Sequence, residues 1–139
     1  MKSLISIVAG IVVGVVVLST VQGIGNLLLS SMTGIEAISA EGAAALLTVR
    51  PTESLLVVVV AYLLGPFAGG FVAASLAPDR RHHHAAAVGG FQLILGVVAI
   101  SLFPHPAWFW IATFVTFVPA ALAGASLARW HARRKHARP

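Results

Sequence analysis

The residues able to do chemistry are few, and they sit at the ends of apolar runs. His82-His83-His84 is the most conspicuous group. A metal site needs ligands converging on one point, and consecutive residues diverge by about 100° around a helix, so these three cannot close one site together. Arg80 and Arg81 stand beside them and repel a cation. The triplet therefore reads as a solvated turn. His105 stands alone between Pro104 and Pro106. Only four acidic residues occur, Glu36, Glu41, Glu53 and Asp79, too scattered for paired-carboxylate catalysis. With no cysteine, disulfides, thiolate metal sites and iron–sulfur clusters are excluded. No nucleophile–base pair, phosphate-binding glycine loop or zinc signature is present. The expectation is a protein that is not an enzyme and has no metal or cofactor.

The elements that must carry these residues are set by where charge is missing. Charged residues make up 9% of the chain and hydrophobic ones 58%. Soluble domains are about 25% charged, so the composition points away from them. Asp, Glu, Lys, Arg and His are absent from residues 4–29, 54–77, 85–103 and 107–128, windows of 26, 24, 19 and 22 residues. About 20 residues of helix cross a hydrocarbon core some 30 Å thick. All four windows suffice, the third narrowly. Met1-Lys2 before an apolar run has the shape of a signal peptide, but the run continues to Val21 and no small-x-small site ending in alanine follows near Gln22. The first window is therefore expected to stay as a span. The fold class is all-α: residues 1–139 form one membrane domain, an up-down bundle of four transmembrane helices.

Orientation follows from the nine Lys and Arg residues. Lys2, the pair Arg80 and Arg81, and the tail Arg129, Arg133, Arg134, Lys135 and Arg138 alternate as one side of a four-span protein requires. Only Arg50 falls on the other side. Basic short loops stay in the cytoplasm, so both termini are expected there. Trp108 and Trp110 at one end of the last window, and Trp130 at the other, bracket a span at headgroup depth.

Residues 30–53 form the one sizeable connection, on the outer side. Thr33 and Glu36 have capping-box spacing, and Ile35, Ile38, Leu46 and Leu47 fall on one helical face, so a short interfacial helix is expected there, weakened by Gly42. Thr52 is the expected cap of the second span, with Glu53 at its positive start. The basic tail, residues 129–139, is expected to be helical only at its beginning.

Small residues at four-residue spacing mark three spans: Gly10 and Gly14; Ala61, Gly65, Gly69 and Ala73, with Gly70 and Ala74 beside them; and Ala120, Gly124 and Ala128. Lipid supplies little hydrophobic force between helices, so close backbone approach must supply the packing. These stripes serve either as a homo-oligomer seam or, the better-weighted reading, to hold one chain together. Pro66 and Pro119 lie inside spans and precede similar ends, Ala74-Ser75-Leu76-Ala77 and Ala125-Ser126-Leu127-Ala128. Interrupted helices at matching places point to a transport site, although a packing kink is the better-weighted reading. Gln22, Asn26, Tyr62 and Gln92 are the notable polar groups within the spans. Membrane-embedded charge is the mark of proton relays and ion-coupled transport, and its lack argues against a proton-coupled exporter. Gln92, with Pro66 and Pro119, would line a pathway if one exists. Arg129, Arg133, Arg134 and Lys135 would meet anionic lipid, each worth on the order of 1 kcal/mol. Nucleic acid is not an expected partner.

The run Tyr62-Leu63-Leu64-Gly65-Pro66-Phe67-Ala68-Gly69-Gly70-Phe71-Val72-Ala73-Ala74, then a basic loop and Pro104-His105-Pro106-Ala107-Trp108-Phe109, resembles small bacterial four-helix membrane proteins of uncharacterised activity. The resemblance implies the architecture and a bacterial cytoplasmic (inner) membrane, and no activity or site residue. Two functions are expected on these grounds. The first is a non-enzymatic accessory subunit or scaffold, in a homo-oligomer or a larger membrane complex. The alternative is an oligomeric transporter or channel for an uncharged or weakly charged solute.

Overall fold

A computed structural model describes residues 2–35, 39–49, 51–79, 81–102 and 105–136. Glu36, Ile38, Arg50, Arg80, Phe103, Pro104 and Arg138 lie outside the described residues, as do the side chains of Leu46, Leu47 and Lys135. Helix is the regular structure of the described residues: α1 (Lys2–Thr33), α2 (Ala40–Val49), α3 (Pro51–Leu76), α4 (Arg81–Ser101) and α5 (Ala107–His136). Four of these, all but α2, are long and apolar enough to cross a membrane.

The helix ends differ from the sequence expectation where local chemistry overrides the charge-free windows. Helix α1 runs on past residue 29 to Thr33, whose hydroxyl donates back to the Leu29 carbonyl at 2.8 Å. Gly34 then takes φ 71° and donates its N–H to the Ser30 carbonyl at 2.8 Å. A left-handed residue one past the helix is open to glycine at little cost. Thr33 thus belongs to the end of α1 and does not cap the next helix. That cap is Ser39, whose hydroxyl oxygen accepts the Gly42 N–H at 3.0 Å. Gly42, expected to weaken the helix, instead supplies the capped N–H.

Helix α3 starts one residue before the expected cap, with Pro51 at its first position, where a missing N–H costs nothing and φ is already helical. It closes with the Ala77 N–H on the Ala73 carbonyl at 3.0 Å, and Pro78 prevents continuation. Both α3 and α5 continue through their prolines, Pro66 and Pro119.

One further correction concerns the basic end. The histidine triplet is the first turn of α4 and not a solvated loop; His84 is buried, 7% exposed. The tail is helical over its described beginning, α5 running on to His136. Arg134 places its guanidinium 3.8 Å from the centre of the Trp130 ring four residues earlier. That cation–π contact and the attraction of cationic side chains to a helix C-terminus both favour extension.

Helix α3 is the hub, packing on α1, α4 and α5; α4 also meets α1 and α5, while α1 and α5 do not meet among the described residues. The interior changes character along the bundle. At the end where α3 turns into α4, it is built from Ala74, Ala85, Ala125 and Ala128, with Phe71 against them. These alanines include the two similar Ala-Ser-Leu-Ala ends, which therefore pack together. Ser75 and Ser126 each point outward and donate to the carbonyl four residues back. Toward the far end the core is Leu55, Tyr62, Ile100, Phe109 and Phe117. Small side chains thus fill the interior at one end and rings at the other.

Candidate functional site

The close approaches between helices are made at glycine. A methyl group added at Gly10 would lie 2.7 Å from the Gly69 carbonyl oxygen and 2.8 Å from Ala73 Cβ. One added at Gly65 would lie 2.9 Å from the Gly14 carbonyl oxygen. The stripes of α1 and α3 thus face each other. Ala61 and Ala73 are fully buried. On the opposite side of α3, Gly70 meets the backbone of Ala121, and Gly124 meets the Phe67 carbonyl. Gly89 of α4 sits against Phe117 and Ala121. Backbone-to-backbone approach of this kind is how membrane helices gain dispersion contacts that large side chains would hold apart.

One side chain at this seam has a different character. The Gln92 carboxamide occupies the space that a side chain on Gly14 would need. Gln92 is 1% exposed, and neither its Nε2 nor its Oε1 has a hydrogen-bond partner. An unmet buried polar group costs about 1–3 kcal/mol, so the arrangement is stable only because the surrounding packing holds it.

Gln92 lines a cavity of about 170 Å³ with Leu18 and Gln22 of α1, Tyr62 of α3, and Leu95, Gly96 and Ala99 of α4. Leu18 and Gln22 are four apart, and Gln92, Leu95, Gly96 and Ala99 follow the i, i+3, i+4, i+7 pattern of one helix face. The Tyr62 ring forms a wall held by two aromatic neighbours. Its centroid is 4.7 Å from that of Phe117 and 6.2 Å from that of Phe109. The crevice lies between α1, α3 and α4, and Leu95 in its lining is 46% exposed. Its lining contains no Asp, Glu, Lys, Arg or His. The chemistry available is therefore hydrogen bonding, from an amide that donates and accepts, beside an aromatic wall. Such a lining is chemically matched to a neutral group.

The three residues singled out as a pathway do not share a surface. Gln92 faces the α1 side of α4, Pro66 is buried in α3, and Pro119 is exposed on α5. Asn26, although four residues from Gln22, is absent from the crevice lining.

A second region lies at the basic end. Asp79, Arg81, His82, His83 and Arg129 line a cleft of about 410 Å³. Phe71, Ser75, Arg81, Ala128, His131 and Ala132 line another of about 280 Å³, with Arg81 common to both. Arg129, Arg133 and Arg134 are exposed. His131 packs edge-on against Phe71 and Trp130. No group of three His, Cys, Asp or Glu residues able to hold a metal occurs among the described residues. At the far end, His105 stacks on Phe109 with ring centroids 5.0 Å apart, and its Nδ1 lies 3.0 Å from the Ile100 carbonyl. This imidazole joins the α4–α5 turn to the aromatic core.

Sequence reasoning singled out Gln92, Gln22 and Tyr62 as polar residues of separate spans but did not join them. The available signal was the face spacing of Gln92, Gly96 and Ala99; nothing in it specified α1 as the opposing wall. No family model matches this chain, and neither a curated protein nor a solved structure matches it significantly.

Proposed function

We propose that this chain is a non-enzymatic subunit of a bacterial cytoplasmic membrane, an accessory or scaffold protein with both termini in the cytoplasm. The observation that carries this reading is the use of the glycine stripes within one chain. A bundle that closes its own seams can dock as a unit. Along its spans it presents apolar faces such as Val8, Val12 and Val16 of α1, which are 49%, 55% and 58% exposed. Arg129, Arg133 and Arg134, with Arg81 and Lys2, supply a positive rim suited to anionic lipid headgroups. Lipids and other membrane subunits are the partners this reading requires.

Extraction from the native membrane in mild detergent, using a tag after Pro139, followed by native mass spectrometry, tests the reading. Stoichiometric foreign subunits are expected. Arrival alone, or as a homo-oligomer, overturns it. Orientation is tested separately, since the chain has no cysteine of its own. Met32→Cys, at a position 76% exposed, is expected to react with an impermeant maleimide on intact cells. Asp79→Cys is expected to react only after permeabilisation, and the reverse pattern inverts the topology.

A second reading, an oligomeric transporter or channel for an uncharged solute, has one observation in its favour: an unpartnered amide in a crevice midway along the spans. It is weakened by the outward position of Pro119 and the buried one of Pro66. Solute flux into vesicles containing the chain alone would establish it.

A further inference from the structure

We propose that the crevice between α1, α3 and α4 binds the neutral, ring-sized head of a membrane-soluble, quinone-type molecule through a carbonyl edge held by Gln92. The inference goes beyond the subunit reading and does not rest on it, because a ligand can occupy the crevice whether or not partner subunits are present.

Four features define the ligand. The first is polarity: both amide atoms of Gln92 are buried and unmatched, so the complement is a group that accepts from Nε2, donates to Oε1, or does both. Neutrality is the second. The lining holds no charged side chain, and a charge at this depth would cost several kcal/mol. The third is size. A cavity of about 170 Å³ resembles one of about 150 Å³ that takes up benzene. The flat Tyr62 ring, fixed by Phe109 and Phe117, suits a planar head.

The fourth feature is the route of entry. Gln92 stands eleven residues along α4 from Arg81, about 16 Å at 1.5 Å per residue, near the middle of a core about 30 Å thick. Leu95 and Ala99 at the mouth are exposed on the flank of the bundle. A ligand therefore enters sideways from lipid, with its apolar tail left outside between α1 and α4. Gln22, partly exposed in the same lining, can hold a second polar substituent. A quinone-type head is planar, neutral and of this size, and its carbonyl oxygen can accept from Nε2 of Gln92.

The test uses the full chain in lipid nanodiscs and two probes, decyl-1,4-benzoquinone and dodecanol. One equivalent of the benzoquinone is expected to bind saturably, to raise the melting temperature and to shift the side-chain amide resonances of Gln92. Dodecanol, which has a hydroxyl but no planar ring, is the control: saturation by dodecanol alone overturns the planar-head assignment. Gln92→Leu is expected to weaken binding at least tenfold while melting no lower than wild type, since it removes an unmatched amide. Ala99→Trp, on an exposed position, blocks the mouth without disturbing the core and keeps the test decisive if Gln92→Leu does not fold. Unchanged affinity in both variants overturns the proposal, as does failure of the benzoquinone to saturate wild type. Efficient Leu95→Cys self-crosslinking, with loss of probe binding on dimerisation, also overturns it, by making a second copy the occupant.

Discussion

Replacing Gly124 with alanine is expected to lower the stability of the bundle by about 3 kcal/mol, although one methyl group is all that is added. That methyl would meet the Phe67 carbonyl oxygen directly and lie 2.9 Å from the Phe71 nitrogen. Both obstacles are backbone atoms of α3, so no rotamer change relieves them. Helix α5 must retreat, and the neighbouring contact of Gly70 with Ala121 is lost with it. In water a retreat is resisted by exposure of apolar surface. In lipid it is resisted only by lost dispersion contacts, so the interface has little in reserve. The control is Gly90→Ala. Gly90 has nothing within 4 Å of an added Cβ, and alanine there should be neutral or stabilising by up to about 1 kcal/mol through helix propensity. Reversible unfolding in mixed micelles measures both. Equal behaviour of the two variants would show that the α3–α5 seam does not hold the fold.

Phe117→Ala is expected to cost about 2–3 kcal/mol for the opposite reason, a void instead of a clash. Phe117 is fully buried, it stacks near Tyr62, and its ring fills the hollow over Gly96, where an added Cβ would lie 2.8 Å from Cζ. In a soluble core, Phe→Ala removes both transfer free energy and packing, for about 3–5 kcal/mol. Here lipid is as apolar as the interior, so the transfer part shrinks and the cavity part remains. The loss should also free the Tyr62 ring that walls the crevice, so probe binding is expected to fall along with stability. Phe117→Leu, which keeps most of the volume, should cost about 1 kcal/mol. Melting temperatures of the two variants, read beside probe affinity, check the prediction. A Phe117→Ala protein as stable as wild type would mean that the far end of the bundle is not packed as described.

What the sequence determined by itself was the number and approximate extent of the long helices. A bilayer admits helices long enough to cross it and penalises charge within them, so the charge-free windows reveal the spans with no knowledge of neighbours. Their ends shifted wherever a local rule intervened: Gly34 let α1 run to Thr33, Pro51 moved the start of α3, and the Trp130–Arg134 contact carried α5 into the tail. These signals were present in the residues but outranked by hydropathy. The stripes of Gly10, Gly14, Gly65, Gly69 and Gly124 were likewise legible as close-packing surfaces.

Which surface meets which was decided by the tertiary structure alone. A soluble helix reveals its buried face because that face is apolar and the other is not. Helix α3 is apolar all round, so its pattern does not distinguish the side that meets Gly10 from the side that meets Gly124. For the same reason, no periodicity could show that Gln92 would be sealed against Gly14, that Tyr62 would wall the same crevice, or that Pro119 would face away from both. In lipid, inside and outside look alike to hydropathy, and only the fit of one backbone against another separates them.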